Sequence, residues 1–315
     1  MFSTLTIAGG KITKLTTLTG SKDFPPHQFH IGEGEYLAMP KWCSSKCPRG
    51  AGHLSLRVGK RISGGGSGVA YEAEVLVAGS GAVESNVAVS NPSPLEQQLC
   101  IKVARPNRCR TLAREAWMYR RLRSLRGVIA PQFYGFFTAE LSETQSPFPP
   151  SEDLVHLEED DLTRDEFLPD DEPLDALGGR DRSKWCKWRP KPDAPMLAVI
   201  VMSRGGATYS QKDHWDLEDV RAVLDDLSRA SILHGDLRPA NIVRAPASTI
   251  PCDVYRCIHK WNVIDFARAR ALDVDVDGTV LLKNNRTPEE ERKVSHWNIF
   301  VYLQRSSYET ENFDL

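Results

Sequence analysis

The chain has 315 residues and a mass of 35.2 kDa, and with 41% hydrophobic residues it can build a core for one bilobal domain or two modest ones. A formal charge of -2 and a pI near 6.5 exclude a global electrostatic drive toward nucleic acid or an anionic membrane, so neither is expected as a partner. Seven cysteines, an odd number, argue against a disulfide framework, and no run approaches the roughly 18 apolar residues of a membrane helix.

Residues 1 to 53 mix Pro, Gly and Lys in short clusters and are expected as an irregular leader with strand pieces such as Leu5-Thr6-Ile7. Met1 to Gly20 lack the charged head and apolar stretch of a secretory signal, so a cytoplasmic or nuclear location is expected. The tightest cysteine pairs are Cys43 with Cys47 and Cys252 with Cys257. Neither has the two-residue spacing of common zinc knuckles, and both read as isolated reduced thiols.

Residues 54 to 140 change character. Strand-like segments run from Leu54 to Ile62, from Val69 to Val77 and from Leu99 to Ala104, and a helical run follows from Thr111 to Leu125. Residues 141 to 195 interrupt this order as an insertion. Between Glu152 and Asp175 twelve acidic residues face one Arg164, a net of 1 - 12 = -11, which opposes compaction, so most of it is expected to be solvated and disordered. A basic stretch with Trp185 and Trp188 follows. It reads as pairing with the acidic run or packing on the domain, ahead of binding nucleic acid.

From 196 to 315 order is expected to resume. Met196 to Met202 reads as a buried strand and Arg204-Gly205-Gly206 as a turn. Asp216 to Ala230 has helical spacing, with Val220, Val223, Leu224 and Leu227 on one stripe and Asp216 as N-cap. Asn262 to Phe266 reads as a short strand, and Thr287-Pro288-Glu289-Glu290 as a helix start.

Five segments carry chemistry. His234-Gly235-Asp236-Leu237-Arg238-Pro239-Ala240-Asn241 resembles the catalytic loop of protein kinases, H-x-D-x-x-x-x-N. The resemblance implies Asp236 as the base that takes the acceptor's proton, Asn241 as a metal ligand and Arg238 as the cation offsetting phosphoryl charge. Val263-Ile264-Asp265-Phe266-Ala267 is similar to the D-F-G metal turn, with Asp265 as the second oxygen ligand to Mg2+. Cys100-Ile101-Lys102-Val103-Ala104 looks like the strand whose lysine grips the phosphates of ATP, and Glu115 is its expected partner, with Arg114 and Arg121 as competing neighbours. In Ser63 to Ala73, Gly65 and Gly68 match glycines of the loop that covers the phosphates. Met196 to Met202 would then enter the hinge, with Met202 to Gly206 along the adenine.

The resemblance implies an α+β, bilobal fold: an N-lobe of antiparallel sheet plus one helix, then an abbreviated, mainly helical C-lobe. It implies an ATP- and magnesium-dependent kinase acting on a protein serine or threonine. A small-molecule phosphotransferase similar to choline or aminoglycoside kinases shares the H-G-D and I-D-F words, and its acceptor would be a small hydroxyl compound. A nucleotide-binding pseudokinase is the third reading, motivated by Ser63, Ala267 and the forty-eight residues after Ala267. Gly235 also departs from the family's H-R-D, which speaks against control through a phosphorylated loop held by that arginine.

Overall fold

The computed structural model describes residues 2–9, 12–20, 52–79, 98–105, 108–140, 196–230 and 232–271. The acidic run, the basic-tryptophan stretch, Cys43, Cys47 and the helix start at Thr287 lie outside the described residues.

The chain is mixed α+β, rich in sheet toward its N-terminus and with few helices. Seven strands, β1 (Thr4–Gly9), β2 (Ile12–Gly20), β3 (His53–Gly64), β4 (Gly68–Gly79), β5 (Leu99–Ala104), β6 (Phe133–Glu140) and β7 (Met196–Ser203), close a barrel in the order β1-β2-β6-β7-β5-β4-β3. All neighbours are antiparallel except β1 and β3, which run parallel from Thr4 opposite His53 to Ala8 opposite Arg57. The expected irregular leader therefore contributes two barrel strands, and the expected purely antiparallel sheet contains one parallel pair. The physical reason lies in β1 itself: Leu5 and Ile7 alternate with threonine and bury fully inside the barrel.

Alternation also sorts β5. Leu99, Ile101 and Val103 point into the barrel with Leu54, Val69 and Val199. Cys100 and Ala104 face the other way, onto helix α1 (Cys109–Arg121), and Lys102, between them in the alternation, shares their face. The helix ends at Arg121, short of the expected Leu125, because Leu122 leaves helical geometry and the chain tightens into a turn closed by Leu125 N–H on Leu122 O at 2.8 Å.

A core continuous with α1 extends to helix α2 (Leu217–Arg229), whose buried stripe is Val220, Val223, Leu224 and Leu227. Asp216 stands at its N-cap position without capping. Its carboxylate instead meets Lys260 at 2.6 Å and Arg244 at 3.2 Å. Around α2 lie two short antiparallel pairs, β9 (Ile242–Arg244) with β10 (Trp261–Val263), and β8 (Ile232–Leu233) with β11 (Arg270–Ala271). The strand expected from Asn262 to Phe266 thus stops at Val263, since Phe266–Arg268 turns into a 3-10 helix. Residues 204–206 run without a turn: Gly206 N–H donates to Arg244 O at 2.8 Å, and a Cβ on Gly205 would come within 2.6 Å of Val243 Cγ2. No helix among the described residues is long and apolar enough to cross a membrane.

Candidate active site

The site forms where β5, α1 and the segments around 236 and 265 meet. Lys102 Nζ lies 2.7 Å from Glu115 Oε2 and 2.8 Å from Asp265 Oδ1, joining residues 163 positions apart. Glu115 is 1% exposed, Lys102 13% and Asp265 26%, so the carboxylate nearest the outside is that of Asp265. Glu115 gets there because α1 lies flat on the outer face of β5, β6 and β7. Arg114 turns away instead, donating to Ala269 O at 3.1 Å.

One cation between two carboxylates leaves a net charge of -1 when all three groups are ionised. Burial opposes the charge on Lys102, yet Asp265 and Glu115 outweigh it and hold the ammonium above its ordinary range. Burial likewise works against Asp265, but Lys102 holds that carboxyl below its usual range. Glu115, the most enclosed of the three and sharing Lys102 with Asp265, is pushed up to about 7 by burial. The buried Tyr119 phenol is raised well above its usual value by burial and then by Glu115 and Asp265.

The second half of the site is a hydrogen-bonded turn. Asn241 Nδ2 donates to Asp236 O at 2.7 Å and lies 3.4 Å from Asp236 Oδ2. With its amide nitrogen so engaged, Asn241 keeps its carbonyl oxygen for another partner. Ile264 N–H donates to Asn241 O at 2.9 Å, which fixes the residue preceding Asp265 against this turn. Asp236 is a third exposed, and Arg238 Nε stands 3.7 Å from its Oδ2.

His234 is fully buried, and its Nε2 lies 2.9 Å from Ile264 O. Asp236 N–H reaches Nδ1 at 3.3 Å, so Nε2 carries the proton in a neutral ring, and burial lowers the affinity of the ring for a second one. A column of rings continues behind it: His234 to Phe266 at 5.0 Å, Phe266 to Tyr119 at 5.3 Å, Tyr119 to Phe133 at 5.7 Å. This column braces α1 against the Asp265 segment.

Two backbone details govern the turn. Asp265 sits at φ 65° and ψ 62°, a left-handed conformation that Asp tolerates. Ala267 lies in the following 3-10 helix, so the glycine it replaces is not needed for a positive φ there. Gly235 has φ +74°, and a Cβ on it would stand 2.4 Å from Arg268 O. No side chain fits that position, which accounts for a glycine where the resembled loop has arginine.

The glycine segment divides. Gly68 pairs with Ala104, and a Cβ there would come within 2.4 Å of Val103 O, so it permits the close approach of β4 to β5. Gly65 borders open space, and its carbonyl accepts from Arg105 Nε at 2.8 Å. Lys102, Glu115, Asp265, Asn241, Asp236 and Arg238 are therefore drawn into one connected neighbourhood, with Gly65 and Gly68 at the hairpin above β5. Sequence reasoning missed Tyr119, the bond of Arg114 to Ala269 and the steric role of Gly235, none of which has a local signature.

No family model matches the sequence, and no curated protein matches it. Among solved structures, the BubR1 kinase domain aligns with a TM-score of 0.36 at 11% identity. That match covers 87% of this chain and 56% of the kinase chain.

Proposed function

We propose that this chain is an ATP-dependent phosphotransferase of the protein-kinase kind, moving the γ-phosphoryl group of ATP to a serine or threonine hydroxyl of a protein. The observation that carries the reading is the Lys102 ammonium held between the buried Glu115 and the outer Asp265. A lysine so anchored keeps its charge and position without spending both on solvent, and can meet phosphate oxygens in a fixed geometry.

Asp236 accepts the proton of the attacking hydroxyl as the new O–P bond forms and the bond to the β-phosphate oxygen breaks, releasing ADP. Arg238, largely exposed beside Asp236, offsets charge on the transferring group. His234 and Asn241 hold the loop that presents Asp236. The residues fit a magnesium ion: Asp265 and Asn241 offer hard oxygens on hydrogen-bonded neighbouring segments, and Mg2+ takes few protein ligands beside phosphates. When bound, the ion neutralises phosphate charge.

ATP consumption with magnesium, compared between wild type and Asp265→Ala, tests this. Turnover in wild type that is lost in the variant supports it. Nucleotide-dependent thermal stabilisation without turnover would mark a binding module, and turnover answering to amines or sugars but not proteins would mark a small-molecule phosphotransferase.

A further inference from the structure

Away from that site, a second group of chemistry-bearing side chains converges where α2 meets the loop before β10. Asp226, Cys252 and His259 bring a carboxylate oxygen, a thiol sulfur and a ring nitrogen within 4.8 Å of one another, and all three are buried. Cys252 Sγ lies 2.9 Å from Asp226 Oδ2, and His259 Nε2 lies 3.6 Å from the same oxygen. The other ring nitrogen, Nδ1, is 2.8 Å from Asp219 Oδ1, while Asp219 Oδ2 accepts from Lys260 N–H at 2.8 Å.

The bond to Asp219 sets the tautomer. A neutral ring donating from Nδ1 carries its lone pair on Nε2. That Nε2 is buried with no hydrogen-bond partner, and it faces a carboxylate oxygen. Two acceptors turned toward each other in an enclosed space are costly unless a cation lies between them.

We propose that Asp226, Cys252 and His259 form a zinc-binding site, with water as the fourth ligand. Zinc takes sulfur at about 2.3 Å and nitrogen or oxygen at about 2.0 Å in a tetrahedron, which spaces ligand atoms by about 3.3 to 3.6 Å. The observed nitrogen–oxygen separation of 3.6 Å is about 0.3 Å wider than a tetrahedral site requires, and the sulfur–oxygen separation of 2.9 Å is about 0.6 Å shorter, so the Cys252 sulfur moves outward from its hydrogen bond to Asp226 when the metal enters. The surrounding contacts suit a metal as well. Asp219 stands behind the histidine as an orienting carboxylate. Arg229 Nη1 occupies Asp226 Oδ1 at 2.8 Å, and Oδ2 accepts the Cys252 thiol proton, the proton that the ion would displace.

Charge closes too. Binding releases the thiol proton of Cys252 to solvent, and Zn2+ with one thiolate, one carboxylate, a neutral imidazole and water is a neutral buried centre. Asp219, Cys257 and His259 also come within 4.8 Å of one another, but Cys257 is exposed and the Nδ1 of that trio is already engaged by Asp219. A metal on the inner trio ties α2 to the loop that leads through β10 to Asp265.

The test uses the full chain, stripped with chelator and titrated with zinc and separately with cobalt(II). Expected are a single zinc per chain and, with cobalt, a thiolate-to-metal charge-transfer band together with the visible bands of a tetrahedral ion. Cys252→Ser abolishes the charge-transfer band, Asp219→Asn weakens zinc binding by about 10- to 100-fold, and Cys257→Ser changes neither. If Cys252→Ser does not fold, the wild-type cobalt spectrum and zinc stoichiometry decide alone. Absence of both in wild type overturns the proposal. A band that survives Cys252→Ser, or is lost in Cys257→Ser, overturns it equally.

Discussion

Replacing Glu115 by glutamine removes a titrating group from the centre of the site while keeping its shape. Glu115 is held near pH 7 in the fold, against 4.5 for the ordinary side chain. The folded chain therefore keeps a proton that the unfolded chain has released between those two values. Native protein binds more protons there, so wild-type stability falls as pH rises through that window and levels off above it. A shift of this size corresponds to about 3 kcal/mol in total. Asp265 acts in the opposite sense and elsewhere: its depressed carboxyl contributes stability above its unfolded value of 3.8, lost as the pH falls through its lower folded value. Urea unfolding at steps from about pH 5 to about pH 8 measures the difference between wild type and Glu115→Gln. Glutamine should gain on wild type steadily across the range, by up to about 3 kcal/mol. Parallel profiles would refute the claim that Glu115 is a buried, undercompensated carboxylate.

Lys102→Met leaves Glu115 and Asp265 facing each other without their shared cation. Denaturant unfolding should show a loss of about 3 to 5 kcal/mol above neutral pH, smaller in acid where Glu115 takes up a proton. Gly235→Ala forces a side chain into a left-handed position already closed by the Arg268 carbonyl. A loss above the roughly 1 to 2 kcal/mol of the backbone alone is expected by thermal melting, against a change within about 0.5 kcal/mol for Gly65→Ala, which meets open space. Gly68→Ala, by contrast, should weaken the β4–β5 pairing and slow hydrogen exchange less at Lys102 than wild type does, readable by amide exchange.

The parts of this arrangement that were legible in the sequence are those with short-range grammar. Leu99 to Ala104 alternates, so its strand and the face of Lys102 follow from a period of two. The stripe Val220, Val223, Leu224 and Leu227 announces α2 in the same way. Glu115 was visible as a candidate, but only the packing of α1 on the barrel decides between Lys102 and the neighbouring arginines. Contacts between remote backbone atoms were not readable: the need for Gly235 arises from a carbonyl at Arg268, and the parallel pairing of β1 with β3 depends on closing the barrel. Cys252 and Cys257 are free thiols, as their spacing implies, but that spacing carries no word about Asp226, which reaches Cys252 from a helix earlier in the chain. Asp216 had the right type and place for a cap, yet Lys260 and Arg244 offer its carboxylate stronger, charged partners.

Transfer of labelled γ-phosphate from magnesium ATP to a protein acceptor, followed beside nucleotide binding in wild type and Asp236→Asn, bears most directly on the phosphotransferase reading. Wild type should transfer label, and the variant should bind ATP as before while transferring about 100-fold less or below. Nucleotide bound by both with no label moved by wild type, or equal transfer by both, would contradict it.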